Sequence, residues 1–281
     1  MNLDLPWNEY TYTAFDTETS GAWPVGCDVV EFGAVKWFQG QEIGRLQFLL
    51  KPRRPMSAFI IGIHGITNEM VADAPAMPGK IREIAEFFKG TVPMAHHAPF
   101  DMGFIAVDFE ANQVGFPVEP VLCTSLLARK LIHGVENHKL QTLVKFLGVD
   151  GGSAHRALDD ARSCLAVGVK CMQTMGEKAT LRDVIAMQGK NLRWADYTVL
   201  HNNNATIRAV VEATRAGVPL EFLYDKATTP RQAVPLGVVR NPDGDFMQAY
   251  CLRDRSKKRF YLGKMREAVV IPGKPWEIPQ D

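Results

Sequence analysis

Two carboxylates two residues apart, Asp16 and Glu18 in the run AFDTETS, follow a short β-branched and aromatic stretch at 12–15. On a strand, side chains at i and i+2 share a face, so both acids point the same way. Like charges at close range repel, and withdrawing them from water adds to the cost, so such a pair calls for a cation. Magnesium binds through a few carboxylates, keeps waters and contacts substrate phosphates, which makes phosphodiester chemistry a better match than a closed structural cage. Taken alone, the pair is also what a solvated strand end would carry.

Two later runs supply further groups of the same kind. In VPMAHHAPFDMGF, residues 92–104, a short strand leads to His96 and His97, a Pro99 turn and then Asp101 in the first turn of an apolar helix. An aspartate there either caps the helix or supports a nearby metal through water. In HRALDDA, His155 stands at the entry of a helix and Asp160 lies within it. Leu158, Leu165 and Met172, seven apart, mark that helix's buried stripe. A histidine at a helix start can take a proton from water, and an aspartate one turn in can bind the metal that holds that water.

In order and interval, these segments resemble the DEDD superfamily of 3′-to-5′ exonucleases, in its histidine-bearing branch. That branch includes RNase T and the proofreading subunit of bacterial replicative DNA polymerase. The Asp-x-Glu motif matches Asp16 and Glu18, the His-Asn-Ala-x-Phe-Asp motif matches 96–101, and the His-x4-Asp motif matches His155 and Asp160. His97 stands where the family usually has Asn, a change that bears on terminal-nucleotide preference. The likeness spans about the first 175 residues, including the run IHGITNEMVADAP. It implies a ribonuclease H-like α/β fold, a mixed sheet flanked by helices. It also implies two Mg2+ or Mn2+ ions held by Asp16, Glu18, Asp101 and Asp160, with Asp16 bridging, His155 as general base, and His96 and His97 near the substrate.

The elements that would position these groups are legible as strands over 29–38 and 42–50, joined at Gln39-Gly40, and short strands near 92 and 121–124. Helices are expected over 78–89, 101–114, 125–131 and 139–147. Three leading strands followed by alternating helices predict a mixed, helix-covered sheet with the site at its strand ends. Residues 1–176 form the expected nuclease domain, 177–204 a connector and 205–281 a second domain.

The second domain reads as a leading helix over 205–216 and five short strands near 220–224, 233–239, 246–252, 259–262 and 268–271, with a tight turn at NPDG, 241–244. That pattern predicts a small barrel. Residues 1–199 hold 19 Lys+Arg and 22 Asp+Glu, a net of −3, whereas residues 200–281 hold 13 and 9, a net of +4. Basic groups interleaved with aromatics over 253–266 suit phosphate attraction and base stacking on single strands, or else a solvated hairpin. The tail resembles the WYL domain, a small Sm- or SH3-like barrel, although Phe246-Met-Gln248 replaces its Trp-Tyr-Leu. That resemblance implies a nucleic-acid or nucleotide-like ligand at Tyr224, Arg231, Arg253 and Arg259.

The 281-residue chain is 46% apolar, with five scattered cysteines and no basic-plus-apolar leader. A cytoplasmic protein without membrane spans, disulfide framework or zinc site is expected, with oligomeric state left open. The expected partner is nucleic acid, as single strands or 3′ ends, with DNA ahead of RNA. The alternatives are an RNA or short-oligonucleotide exonuclease and, from another class, a non-catalytic ligand-sensing regulator.

Overall fold

The computed structural model describes residues 1–149, 155–240 and 244–276. The chain forms two compact units, one from Met1–Ser20, Val29–Met102 and Val114–Ala195, the other from Gly21–Asp28, Gly103–Gln113 and Asp196–Asp281.

The first unit is built on a five-stranded mixed sheet of β1 (Tyr12–Thr19), β2 (Val29–Phe38), β3 (Gln41–Leu49), β4 (Val92–Ala95) and β5 (Leu122–Cys123). Their order is β3-β2-β1-β4-β5, antiparallel among the first three and parallel from β1 to β5. Gln39 and Gly40 both take positive φ, 46° and 89°, which the tight β2–β3 hairpin requires. The sheet carries α1 (Ala58–His64), α2 (Ile81–Phe88), α3 (Pro99–Ala111), α4 (Thr124–Leu131), α5 (Leu140–Leu147), α6 (Ala157–Met175) and α7 (Leu181–Gln188). The later turns of α3 fall in the second unit.

Close approach of α6 to β2 is set by Gly33. A Cβ there would lie 2.2–2.6 Å from the backbone of Ala157 and Leu158, so the start of α6 rests directly on the strand. Leu158, Leu165 and Met172 of that helix join Tyr12, Val35 and Met94 in the core, as the seven-residue spacing implies. The stretch read as a connector carries helix α7 and a 3-10 turn, Trp194–Tyr197. Thr180 and Asp183 form a capping box on α7, Leu181 and Val184 are core residues, and Trp194 stacks on Phe15 at 5.7 Å. Helix α1 was not expected from sequence, although Ser57 caps it and Gly65 ends it in the left-handed region.

The second unit has an antiparallel sheet of β6 (Leu220–Tyr224), β7 (Arg231–Val239), β8 (Phe246–Cys251), β9 (Ser256–Tyr261) and β10 (Met265–Val270), in the order β10-β6-β7-β8-β9. β9 and β10 do not pair among the described residues, so the hydrogen-bonded sheet is open where the sequence suggested a closed barrel. The chain leaves β9 through a single 3-10 turn, Leu262–Lys264, and joins the free edge of β6. α8 (Ala205–Ala216), capped by Asn204, packs Val210, Val211 and Ala213 with Phe222, Met247 and Phe260. Trp23 covers Gly237 of β7, where a Cβ would lie 2.0 Å from the Trp23 Cβ. The Glu110 carboxylate accepts the backbone N–H groups of Val199, Leu200 and His201 at 2.7–2.8 Å. The Asn241-Pro-Asp part of the expected turn lies outside the described residues.

Candidate active site

Of the eight residues of β1, Asp16 and Glu18 alone keep partial exposure, which is the shared face that their i, i+2 spacing dictates. Neither carboxylate accepts a hydrogen bond from a described residue. Asp101, in the first turn of α3, is 3% exposed, and its Oδ1 accepts from the Thr17 N–H at 3.0 Å and the Thr17 hydroxyl at 2.7 Å. Its side chain therefore braces α3 against β1 between the two strand acids. From the first turn of α6, Asp160 accepts Gln141 Nε2 through Oδ1 and the His155 N–H through Oδ2, both at 2.8 Å.

His155 takes φ 62° immediately before α6, and its ring is exposed. One ligand-type atom from each of Glu18, His155 and Asp160 lies within 4.8 Å of the others. Asp16 and Asp101 line the same cleft of about 510 Å³, together with Lys139, Gln141 and Phe100. Residues more than 130 positions apart in sequence thus meet in one cleft, and all five residues expected at the metal and base positions are present.

Electrostatics explain what the cleft would bind. Burial, then the neighbouring carboxylates Asp101, Glu18 and Asp160, push the Asp16 carboxyl well above its ordinary range. Burial, then the carboxylates of Asp160, Glu31 and Asp101, raise Glu18 to about 8. Burial raises Asp101 to about 7 against the opposing Thr17 hydrogen bonds, and Asp160 is raised for the same first reason. Four acids that cannot all ionise by themselves, two of them without donors, fit hard divalent cations such as Mg2+ or Mn2+.

Two residues that the sequence reading passed over organise this cleft. Glu31, the cross-strand partner of Glu18, is buried. It accepts Arg156 Nη2 at 2.9 Å, Gln47 Nε2 at 2.9 Å and the Ala157 N–H at 3.1 Å. It thereby ties the residue after His155, and the start of α6, to β2. A lone acid inside the apolar run VVEFGAV was the available signal. Gln141 carried no signal, because its partner lies on another helix.

His96 lines the cleft as a strut. Its Nε2–H donates to the His138 carbonyl at 3.0 Å, so Nδ1 accepts the Thr124 hydroxyl at 2.8 Å, and burial lowers its pKa to about 4, which keeps the ring neutral. His97, exposed at φ 63°, also faces the cleft.

The four residues expected to bind a ligand in the second unit do not form one group. Arg231 and Arg253 meet at Asp254, at 2.9 and 3.4 Å, with Lys258 at 2.7 Å on the same carboxylate. Tyr224 packs against Phe222 and Phe260, and its hydroxyl accepts the Tyr261 N–H at 3.2 Å. Arg259 lies over the Phe246 ring, 4.0 Å from its centroid.

Residues 13–167 match the family model for exonucleases of the RNase T type, described as Exonuclease. The chain belongs to the exonuclease family. This exonuclease is 37% identical over 170 residues to the PolC-type DNA polymerase III of Bacillus cereus, covering 60% of this chain and 12% of the polymerase. It is 36% identical over 171 residues to the Bacillus subtilis protein, again 12% of that polymerase. The match therefore spans about an eighth of the length of these relatives.

Among solved structures, exonuclease X in complex with 5′-overhanging duplex DNA is 27% identical, with a TM-score of 0.50, over 63% of this chain and 99% of that one. A product-bound exonuclease I is 17% identical, with a TM-score of 0.52, and shares the fold over 91% of this chain and 64% of its own. The chain thus carries a domain of the exonuclease family on a mixed α/β sheet. No described helix is long and apolar enough to cross a membrane.

Proposed function

We propose that the exonuclease removes nucleotides from the 3′ ends of nucleic acid, DNA ahead of RNA, and releases nucleoside 5′-monophosphates. The observation that carries this reading is the convergence of Glu18, His155 and Asp160 within 4.8 Å beside Asp16 and Asp101. Asp16, Glu18, Asp101 and Asp160 would hold two divalent cations. Such ions polarise the phosphate, lower the pKa of a bound water and stabilise the leaving oxygen.

His155 takes the proton of the attacking water as that oxygen bonds to phosphorus and the bond to the penultimate 3′ oxygen breaks. Gln141 and the His155 N–H occupy both oxygens of Asp160 and fix its orientation. The Thr17 N–H and hydroxyl both bond Oδ1 of Asp101 and fix that side chain. The Glu31–Arg156 pair anchors the turn that carries the base.

The second unit is proposed to hold or sense nucleic acid or a nucleotide-like ligand as a WYL-like domain built on an open antiparallel sheet. Its strand order, with β6 between β10 and β7, and the 3-10 turn before β10 support that reading. Arg259 over Phe246, beside Tyr261 and Trp23, offers cationic and aromatic groups of the kind that stack bases and attract phosphate. The five free cysteines are in keeping with a reducing, cytoplasmic setting.

The test is a time course on 5′-labelled single-stranded DNA, 3′-recessed duplex and RNA with magnesium, manganese or EDTA, beside Asp160→Ala. A metal-dependent ladder that shortens from the 3′ end, absent in the variant, is expected, and its rates rank the substrates. No ladder on any substrate would overturn the reading and leave a ligand-sensing role.

A further inference from the structure

Two acids of the cleft stand at the ends of elements that continue into the second unit. β1 ends at Thr19, directly after Glu18, and Gly21–Asp28 folds with the second unit before β2 begins at Val29. Shortly afterwards β2 reaches Glu31, the cross-strand partner of Glu18. Helix α3 carries Asp101 in its first turn and belongs to the second unit from Gly103 onward. An apolar helix needs cover on every side, and α3 is buried without a break from Asp101 to Val107.

Both stretches are seated firmly in that unit. Val25 and Val107 join Val210, Phe222 and Met247 in its hydrophobic core. Trp23 lies against Gly237 of β7 and meets the Phe246 ring at 6.3 Å. The N–H groups of Gly26 and Cys27 both donate to the Trp23 carbonyl, at 3.0 and 2.8 Å, and close the turn. From the last turns of α3, Glu110 holds the three backbone N–H groups at 199–201. The two stretches also meet each other, because Pro24 packs on Gly103, where an added Cβ would stand 3.0 Å from the proline Cγ. That contact is two residues along the chain from Asp101 and six from Glu18.

Carboxylates that share divalent cations need their oxygens held within about 0.5 Å of the coordinating geometry. A shift at Val107 reaches Asp101 along six residues of one α-helix, a hydrogen-bonded rod of about 9 Å. We infer that Trp23, through the β1–β2 connection, and Glu110, through α3, are positioning residues for the metal-binding acids, so that the second unit sets Glu18 and Asp101. The inference rests on the metal-dependent exonuclease reading of the cleft. It adds a requirement to that reading: the nuclease sequence makes a working metal site only with residues 196–281 in place.

Metal affinity tests this directly. Mn2+ binding to the full chain is measured by titration calorimetry for wild type, Trp23→Ala, Gly237→Ala, Glu110→Ala, Trp23→Phe and Met265→Ala, with kcat and KM on 5′-labelled single-stranded DNA in parallel. Gly237→Ala drives a Cβ into the Trp23 Cβ from the far side of the sequence. Met265→Ala opens the same core without altering either anchor residue, and urea unfolding ranks the variants by lost stability. The first three variants are expected to weaken Mn2+ about ten-fold and to lower kcat with little change in KM, and Trp23→Phe to recover part of the loss. Met265→Ala is expected to bind Mn2+ as wild type does. Anchor variants that bind Mn2+ like wild type, or a Met265→Ala protein as weak as they are at equal loss of stability, would overturn the inference. A wild type that binds Mn2+ yet shortens no strand would instead count against the exonuclease reading, and the Mn2+ comparison would still judge the anchors.

Discussion

Two clusters of charge in this chain use the same side chains to opposite ends. In the second unit one carboxylate, Asp254, is met by Lys258, Arg231 and Arg253, and Lys258 foremost holds its carboxyl well below the usual range. In the first unit four carboxylates share a cleft, and burial pushes all four up. An exposed, satisfied cluster shapes a surface and adds little to stability. A crowded, buried one, in which Asp16 and Glu18 have no described donor, carries a cost that a bound cation would offset, and that cost marks the candidate site.

The sharpest way to break this contrast is to remove an acid from each cluster. Asp16→Ala or Asp160→Ala should lower kcat by roughly 10³-fold or more and abolish the rise in thermal midpoint on adding Mn2+, read by single-turnover assay and calorimetry. His155→Ala should lower kcat about 10²- to 10⁴-fold yet keep the Mn2+ response, because only the base is lost. An unchanged rate would remove His155 from its assigned role.

Glu31→Gln tests whether the buried pair beneath the cleft positions that base. It should lower kcat about ten-fold with little change in KM, and cost about 1–3 kcal/mol in urea unfolding. The lower bound reflects the 44% exposure of the Arg156 side chain.

The pH response sharpens the comparison further. A carboxyl whose folded pKa is raised binds its proton more tightly when folded. Stability is therefore lost as pH climbs from the unfolded value, near 4, through the folded values of about 7 for Asp101 and about 8 for Glu18. Metal-free protein should lose several degrees of thermal midpoint between about pH 4.5 and 8. Glu18→Gln should flatten that decline, and Mg2+ should stabilise more at pH 8 than at pH 5.5. A wild-type profile that rises over this window would refute the account of the cluster. The smallest effect belongs to Asp254→Asn, which should leave turnover and the response to Mg2+ unchanged and move the thermal midpoint little.

Much of the site was legible because its motifs are local. Asp16 and Glu18 share a face by strand period, and Asp160 lies on a helix announced by Leu158, Leu165 and Met172. Strand β2 and helix α8 run where their patterns place them, over Val29–Phe38 and Ala205–Ala216. What was hidden depends on partners far along the chain. Glu31 is explained only by Arg156 and Ala157, 125 and 126 residues on, and Gln141 only by Asp160. Helix α7 was missed although its capping box is local, since polar residues over 176–204 masked the Leu181 and Val184 stripe.

The second unit draws on three stretches of chain, two of them inside the nuclease sequence at Gly21–Asp28 and Gly103–Gln113. Trp23 seals Gly237, and Glu110 fastens the backbone at 199–201. The C-terminal part is thus no detachable appendage. A chimera that exchanges residues 196–281 for another tail inherits an orphaned tryptophan and an unanswered glutamate, so recombination between such proteins must carry all three stretches together or repair the two it leaves behind.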